Sequence, residues 1–295
     1  MPNVKLKGLG VALATPFHAD YSVDYNALHK LLDYLLDGGV DYLVALGTTA
    51  ETPTLSEREQ SDIIRFVTDT VRGKVPVIMG VGGNNTVALA EKLRSIDMTG
   101  ISAVLSVTPY YNKPSQEGLY RHYCTLSEAS PLPLILYNVP GRTGVNMTAE
   151  TTLRIARSCG NIIAIKEASS NLAQAKEIIA GAPEGFSVIS GDDAMTLPII
   201  RAGGAGVISV LGNAFPHAFG KMVHHALDNQ WTKAEEIEQS FTELIRLLFC
   251  DGNPSGVKAM LHLKGLTENV LRLPLVAVSD ETREMIKHQL SLVEK

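Results

Sequence analysis

The chain has 295 residues, 45% of them hydrophobic and 19% charged, which is enough to bury a large core; barrel-type α/β folds run to this length as one domain. A net charge of −5 argues against a nucleic-acid partner or an anionic membrane, both of which need a basic face, while a local cationic pocket for an acidic small molecule stays compatible with it. Three cysteines without a CxxC pair (Cys124, Cys159, Cys250), no signal-like leader in the opening MPNVKLK and no apolar run near ~20 residues give the expectation of a cytoplasmic protein with no membrane partner.

The predicted elements alternate along the chain. A first strand over 9–14 is followed by a helix in which Leu28, Leu31, Leu32, Leu35 and Leu36 form one apolar stripe that stops at Gly38-Gly39. A second strand spans 42–46; Ser56 and Glu59 then have capping-box spacing ahead of Ile63, Ile64, Phe66 and Val67. Strands over 75–80, 103–107, 134–138, 162–165, 187–190 and 207–210 follow, with Thr86, Thr148 and Asn171 as N-caps of intervening helices. Most of these runs are continuously apolar, as parallel strands covered on both faces must be.

Eight strands alternating with helices predict an α/β fold closed into a (β/α)8 TIM barrel. A doubly wound open sheet is the alternative, but the loop after the first strand, Thr15-Pro16-Phe17-His18, has no phosphate or dinucleotide fingerprint. Residues 218–295 read as helices with turns near 250–254 and 273–274. The expected division is a barrel over 1–225 and C-terminal helices over 226–295, which complete the barrel and add an appendage for oligomer contacts.

Barrel active sites form at the C-terminal ends of the strands. There the sequence has Gly47-Thr48-Thr49-Ala50-Glu51, Thr108-Pro109-Tyr110-Tyr111-Asn112, Tyr137-Asn138 leading to Arg142, Lys166-Glu167 and Gly191-Asp192-Asp193. Lys166 is the only cation ending such a run. A lysine at an apolar rim loses hydration, and the neutral amine this favours adds to a ketone. The plain alternative is an ion pair with Glu167. Tyr137, ending the adjacent strand, is suited to moving protons at an imine, or else it is a packed rim tyrosine. Thr48 and Thr49 can bind a carboxylate or merely cap a turn. Arg142 offers a fork for a second carboxylate, or is a solvated loop cation. Asp192-Asp193 reads as helix capping, His224-His225 cannot face one site, and no HExxH, CxxC or DxDxDG motif supports a metal.

The set GTTAE (47–51), PYYNKP (109–114), YNVPGRTG (137–144), IIAIKEAS (162–169), SGDD (190–193) and GVISV (206–210) resembles the dihydrodipicolinate synthase family of pyruvate-dependent class I aldolases. The resemblance runs from about residue 8 to 265 and includes Asn253-Pro254 and Val257-Lys258. It implies condensation of pyruvate with L-aspartate 4-semialdehyde, without a cofactor, in a homodimer or homotetramer. By the same resemblance Lys166 forms the Schiff base and Tyr137 exchanges protons with it. Thr48 and Tyr111 complete a proton relay, Tyr111 reaching across from a neighbouring subunit. Thr49 holds the pyruvate carboxylate, Arg142 receives that of the semialdehyde, and Gly191 and Ile208 give main-chain contacts near pyruvate.

N-acetylneuraminate lyase and keto-deoxy sugar-acid aldolases share this scaffold and lysine, and a non-catalytic oxo-acid sensor is a third reading. Arg142 and the paired threonines favour the synthase, and the complete set of proton-transfer groups disfavours the sensor. Lysine-inhibited members bind lysine near the equivalents of Tyr110 and Asn84, often with histidines where this chain has Glu57 and Gln60 and a glutamate where it has Ala88. Without that glutamate a bound amino group lacks its counter-charge, so feedback by lysine is expected to be weak, absent or differently built.

Overall fold

The structure is a computed structural model that describes Val4 and residues 6–293. The leader reading and the outer ends of the expected 1–225 and 226–295 division fall partly on residues 1–3, 5, 294 and 295, which lie outside the described residues.

Eight parallel strands close in sequence order: β1 (Gly8–Ala12), β2 (Tyr42–Ala45), β3 (Val77–Gly80), β4 (Ala103–Val107), β5 (Leu134–Asn138), β6 (Ile162–Glu167), β7 (Ser187–Ser190) and β8 (Gly206–Ser209), with β8 pairing back onto β1. The helices are α1 (Tyr25–Asp37), α2 (Glu57–Val71), α3 (Thr86–Ser95), α4 (Gln116–Ala129), α5 (Pro140–Thr143), α6 (Ala149–Ser158), α7 (Leu172–Gly181), α8 (Thr196–Arg201), α9 (Pro216–Leu227), α10 (Trp231–Cys250), α11 (Ser255–Leu263) and α12 (Asp280–Val293). This is the (β/α)8 TIM barrel expected, with α10–α12 as a helical extension. Helix α9 packs on β1 and runs across position 225.

The strands are apolar on both faces because each face has its own core. Leu43 and Ala45 of β2 join the layer between strands and helices, whereas Tyr42 and Val44 pack inside the barrel with Ile78, Leu105, Ile135, Ile189 and Ile208. The α1 stripe is buried at Leu28, Leu31, Leu32 and Leu35, and the helix ends on Gly38 with Gly39 at φ +75°.

Ser56 and Glu59 form the capping box, and Thr148 and Asn171 cap α6 and α7. Thr86 does not cap α3. Asn85 does, accepting from the Ala88 N–H, while the Thr86 hydroxyl lies 2.8 Å from Nδ1 of buried His122 on α4. An asparagine one residue earlier satisfies the helix end and frees the threonine for a contact between helices.

Among the described residues no helix is long and apolar enough to cross a membrane. The three thiols are free, with Cys124 and Cys159 Sγ atoms 3.2 Å apart between α4 and the end of α6.

Candidate active site

The register of β5 on β6 sets the site. Tyr137 pairs with Lys166 and Asn138 with Glu167. Side chains alternate across a strand, so Tyr137 and Lys166 point into the barrel mouth and their successors point outward. The Lys166 Nζ stands 4.5 Å from the centroid of the Tyr137 ring, and both residues are buried.

Glu167 is not the partner of Lys166. Its carboxylate accepts from Asn138 Nδ2 (3.1 and 3.3 Å), Gln174 Nε2 (3.1 Å) and the Ser169 N–H (2.7 Å), all on the outer side of the strand. The ion-pair alternative therefore fails: the alternation that brings the amine inside takes the carboxylate out. Strand β6 also extends through Glu167 rather than ending at 165, which places both residues within the ladder.

Gly191, after β7, lies against the lysine stem. A Cβ there would sit 2.9 Å from Lys166 Cγ and 3.0 Å from Cε, so glycine leaves the room the lysine occupies. Asp192 caps the short turn that follows, accepting from the Ala194 N–H. Asp193 does something the capping expectation did not contain. Buried, it accepts from the Ser209 hydroxyl at 2.5 Å and from the Val210 and Leu211 N–H groups, tying the end of β7 to that of β8. Burial pushes its carboxyl up to about 6, against the three donors.

The loop after β2 supplies Thr48 and Thr49 on a single 3₁₀ turn. Thr49 is buried, and its hydroxyl accepts from Asn253 Nδ2 at 3.1 Å; Arg142, on α5, donates to the Asn253 carbonyl at 3.2 Å. Asn253 thus joins the threonine turn to the arginine, a role that its place in the Asn253-Pro254 motif does not announce. A cavity of about 360 Å³ is lined by Lys166, Tyr137, Thr48, Thr49, Arg142, Gly191 and Asn253. A neighbouring cavity of about 350 Å³ shares Thr48, Tyr137 and Arg142 and is lined also by Gln60, Lys92 and Tyr110.

Two of the sequence-derived residues stand apart. Ile208 is fully buried in the barrel interior, in register with Gly10, and outside both linings. Tyr111 is 88% exposed, at φ +72°, on a loop braced by hydrogen bonds between Asn84, Tyr110 and Asn112. His224 pairs with Asp41, which precedes β2 at the opposite end of the barrel. Among the described residues no group of three or more His, Cys, Asp or Glu side chains is placed to hold a metal ion.

The dihydrodipicolinate synthetase family model matches residues 5–293. The 4-hydroxy-tetrahydrodipicolinate synthase of Parabacteroides distasonis is 58% identical over 290 residues, spanning 98% of each chain. The crystal structure of dihydrodipicolinate synthase from Thermotoga maritima superposes with a TM-score of 0.96 at 40% identity, covering 98% of this chain and 99% of that one. That of the chloride-inhibited synthase from Acinetobacter baumannii, complexed with pyruvate, gives 0.95 at 37% identity over 98% and 99%. With a shared barrel, a shared length and a buried lysine at the mouth, the chain belongs to the dihydrodipicolinate synthetase family and is an enzyme.

Proposed function

We propose that the chain condenses pyruvate with L-aspartate 4-semialdehyde to give 4-hydroxy-tetrahydrodipicolinate, through a Schiff base on Lys166. The reading rests on one observation above all: a buried amine, 4.5 Å from a tyrosine ring, in a cavity whose rim also carries Thr49 and Arg142. The neutral amine adds to the pyruvate ketone and water leaves. Loss of a methyl proton from the iminium gives an enamine, whose carbon attacks the aldehyde. The amino group of the semialdehyde then displaces Lys166 as the ring closes.

In this scheme the Tyr137 phenol moves protons at the imine, with Thr48 and the neighbouring subunit's copy of Tyr111 as its relay. Thr49 takes the pyruvate carboxylate, and Arg142 that of the semialdehyde. Gly191, in the cavity lining, is assigned a main-chain contact near pyruvate; for Ile208, which lies outside both linings, such a contact rests on the family resemblance alone. The synthase names of the close relatives favour this reaction over the sugar-acid aldolases and over a sensor. A homodimer or homotetramer is part of the same proposal, supported by the exposure of Tyr111. A cytoplasmic location is part of the same proposal, supported by the free thiols.

The test is borohydride reduction in the presence of pyruvate, followed by peptide mass analysis. A reduced pyruvyl adduct on Lys166 is expected; its absence ends the proposal. Turnover of aspartate semialdehyde is then compared with that of N-acetylmannosamine and glyceraldehyde, and preference for either of the latter overturns the substrate assignment.

A further inference from the structure

The threonine turn is flanked by two non-glycine residues in the left-handed region, Leu46 at φ +54° and Glu51 at φ +55°. Such a backbone persists only where its surroundings hold it. At Glu51 the surroundings are explicit. The residue is 1% exposed, and its carboxylate accepts from Nζ of Lys258 on α11 and, at 2.9 Å, from the Arg272 N–H. Lys258 is equally buried; it also donates to the Val270 carbonyl at 2.8 Å and lies 4.1 Å from the centroid of the Phe17 ring. The Glu51 N–H bonds back to the Thr48 carbonyl at 3.1 Å, and its own carbonyl accepts from Thr54. The turn is therefore gripped from the C-terminal extension, some 200 residues further along the chain.

A buried ion pair is a weak source of stability, because desolvation of both charges offsets their attraction, and an uncharged pair of similar volume often serves the fold as well. What the charges supply is direction: two donors fix one carboxylate, and the carboxylate fixes the backbone that carries the threonines. We propose that Lys258 and Glu51 are positioning residues that set Thr48 and Thr49 for the pyruvate carboxylate. The proposal rests on the assignment of Thr49 to that carboxylate.

The test compares Lys258→Met, Glu51→Gln and the double variant, in which neither charge is left alone. Three quantities are read: the melting temperature, the half-saturating pyruvate concentration for adduct trapping, and amide hydrogen exchange at residues 48–51. Each single variant melts lower than wild type. The double variant is expected to recover its melting temperature, yet to need about tenfold more pyruvate or higher, with trapping at saturating pyruvate little changed. Exchange at residues 48–51 quickens while the other strand ends keep their protection. A double variant that regains wild-type half-saturation and wild-type exchange shows the pair to be merely structural and overturns the proposal. Absence of an adduct in the wild-type enzyme instead defeats the Schiff-base reading, and the exchange measurement still decides whether the pair holds the turn.

Discussion

Tyr137 and Lys166 are registered partners on adjacent strands, and the amine lies over the phenol ring, 4.5 Å from its centroid. Tyr137→Phe keeps the ring and removes only the hydroxyl. Turnover is expected to fall about 10²- to 10⁴-fold, the usual range for loss of a proton-transfer group. The amount of pyruvate adduct trapped at long times should change little. Near wild-type turnover removes Tyr137 from the proton chemistry.

Arg142 is exposed, lines both cavities and donates to the Asn253 carbonyl. Arg142→Ala deletes a charged donor, a loss of about 1.5–3 kcal/mol, or roughly ten- to two-hundredfold in kcat/KM for the semialdehyde. Pyruvate trapping should stay near the wild-type level. Equal loss in both assays places the arginine elsewhere in the reaction.

Tyr111 projects into solvent from a braced loop, so its contribution is testable by mixing subunits. Tyr111→Phe and Lys166→Ala are each expected to have little activity. Dissociated, mixed and reassociated, they form heterodimers in which one site has both an intact lysine and a partner's intact tyrosine. Recovery of about a quarter of wild-type activity is the statistical expectation for a two-fold dimer. No recovery refutes the sharing of Tyr111 between subunits.

Lys92 donates to the Gln60 side chain at 3.2 Å in the cavity that Tyr110 also lines, and residue 88, on the same helix as Lys92, is an alanine without a carboxylate. A resident ammonium disfavours a second one. Low micromolar lysine is expected to leave turnover unchanged, and inhibition in that range overturns this reading.

His122 is buried on α4, and burial pulls its imidazole down to about 4 from an ordinary 6.5. The folded state therefore binds its proton less readily than the unfolded chain does. Its contribution to stability is complete above pH 6.5 and is lost as pH falls through about 4, a change of roughly 3 kcal/mol. His122→Asn should flatten that part of the urea-midpoint profile. An unchanged profile assigns the acid sensitivity to other groups.

The barrel was legible in the sequence because parallel strands with helices on one side and a packed interior on the other are apolar on both faces, as in β1 and β2. Lys166, Tyr137, Thr49 and Arg142 were legible because barrel strand ends are where polar residues have room. The connections between them were not. Thr49 meets Asn253, and Glu51 meets Lys258, across 204 and 207 positions with no period to announce either contact. Asp193 reads as a cap in the sequence because an acidic residue before a short helix usually is one, whereas the gap between β7 and β8 supplies it with three donors. The Glu167 ion pair was a reasonable alternative in one dimension, and the strand pleat removes it.

The outer pair of Asn138 and Glu167 has a consequence for altering this enzyme. The spacing of phenol and amine is clamped from behind the wall, by groups that face away from the cavity, while Arg142 on α5 and Asn253 between α10 and α11 sit at its lip. The lip can accordingly be rebuilt for a different aldehyde without disturbing the wall. Changes at Asn138, Glu167 or Gln174, out of sight of any substrate, are the ones to leave alone.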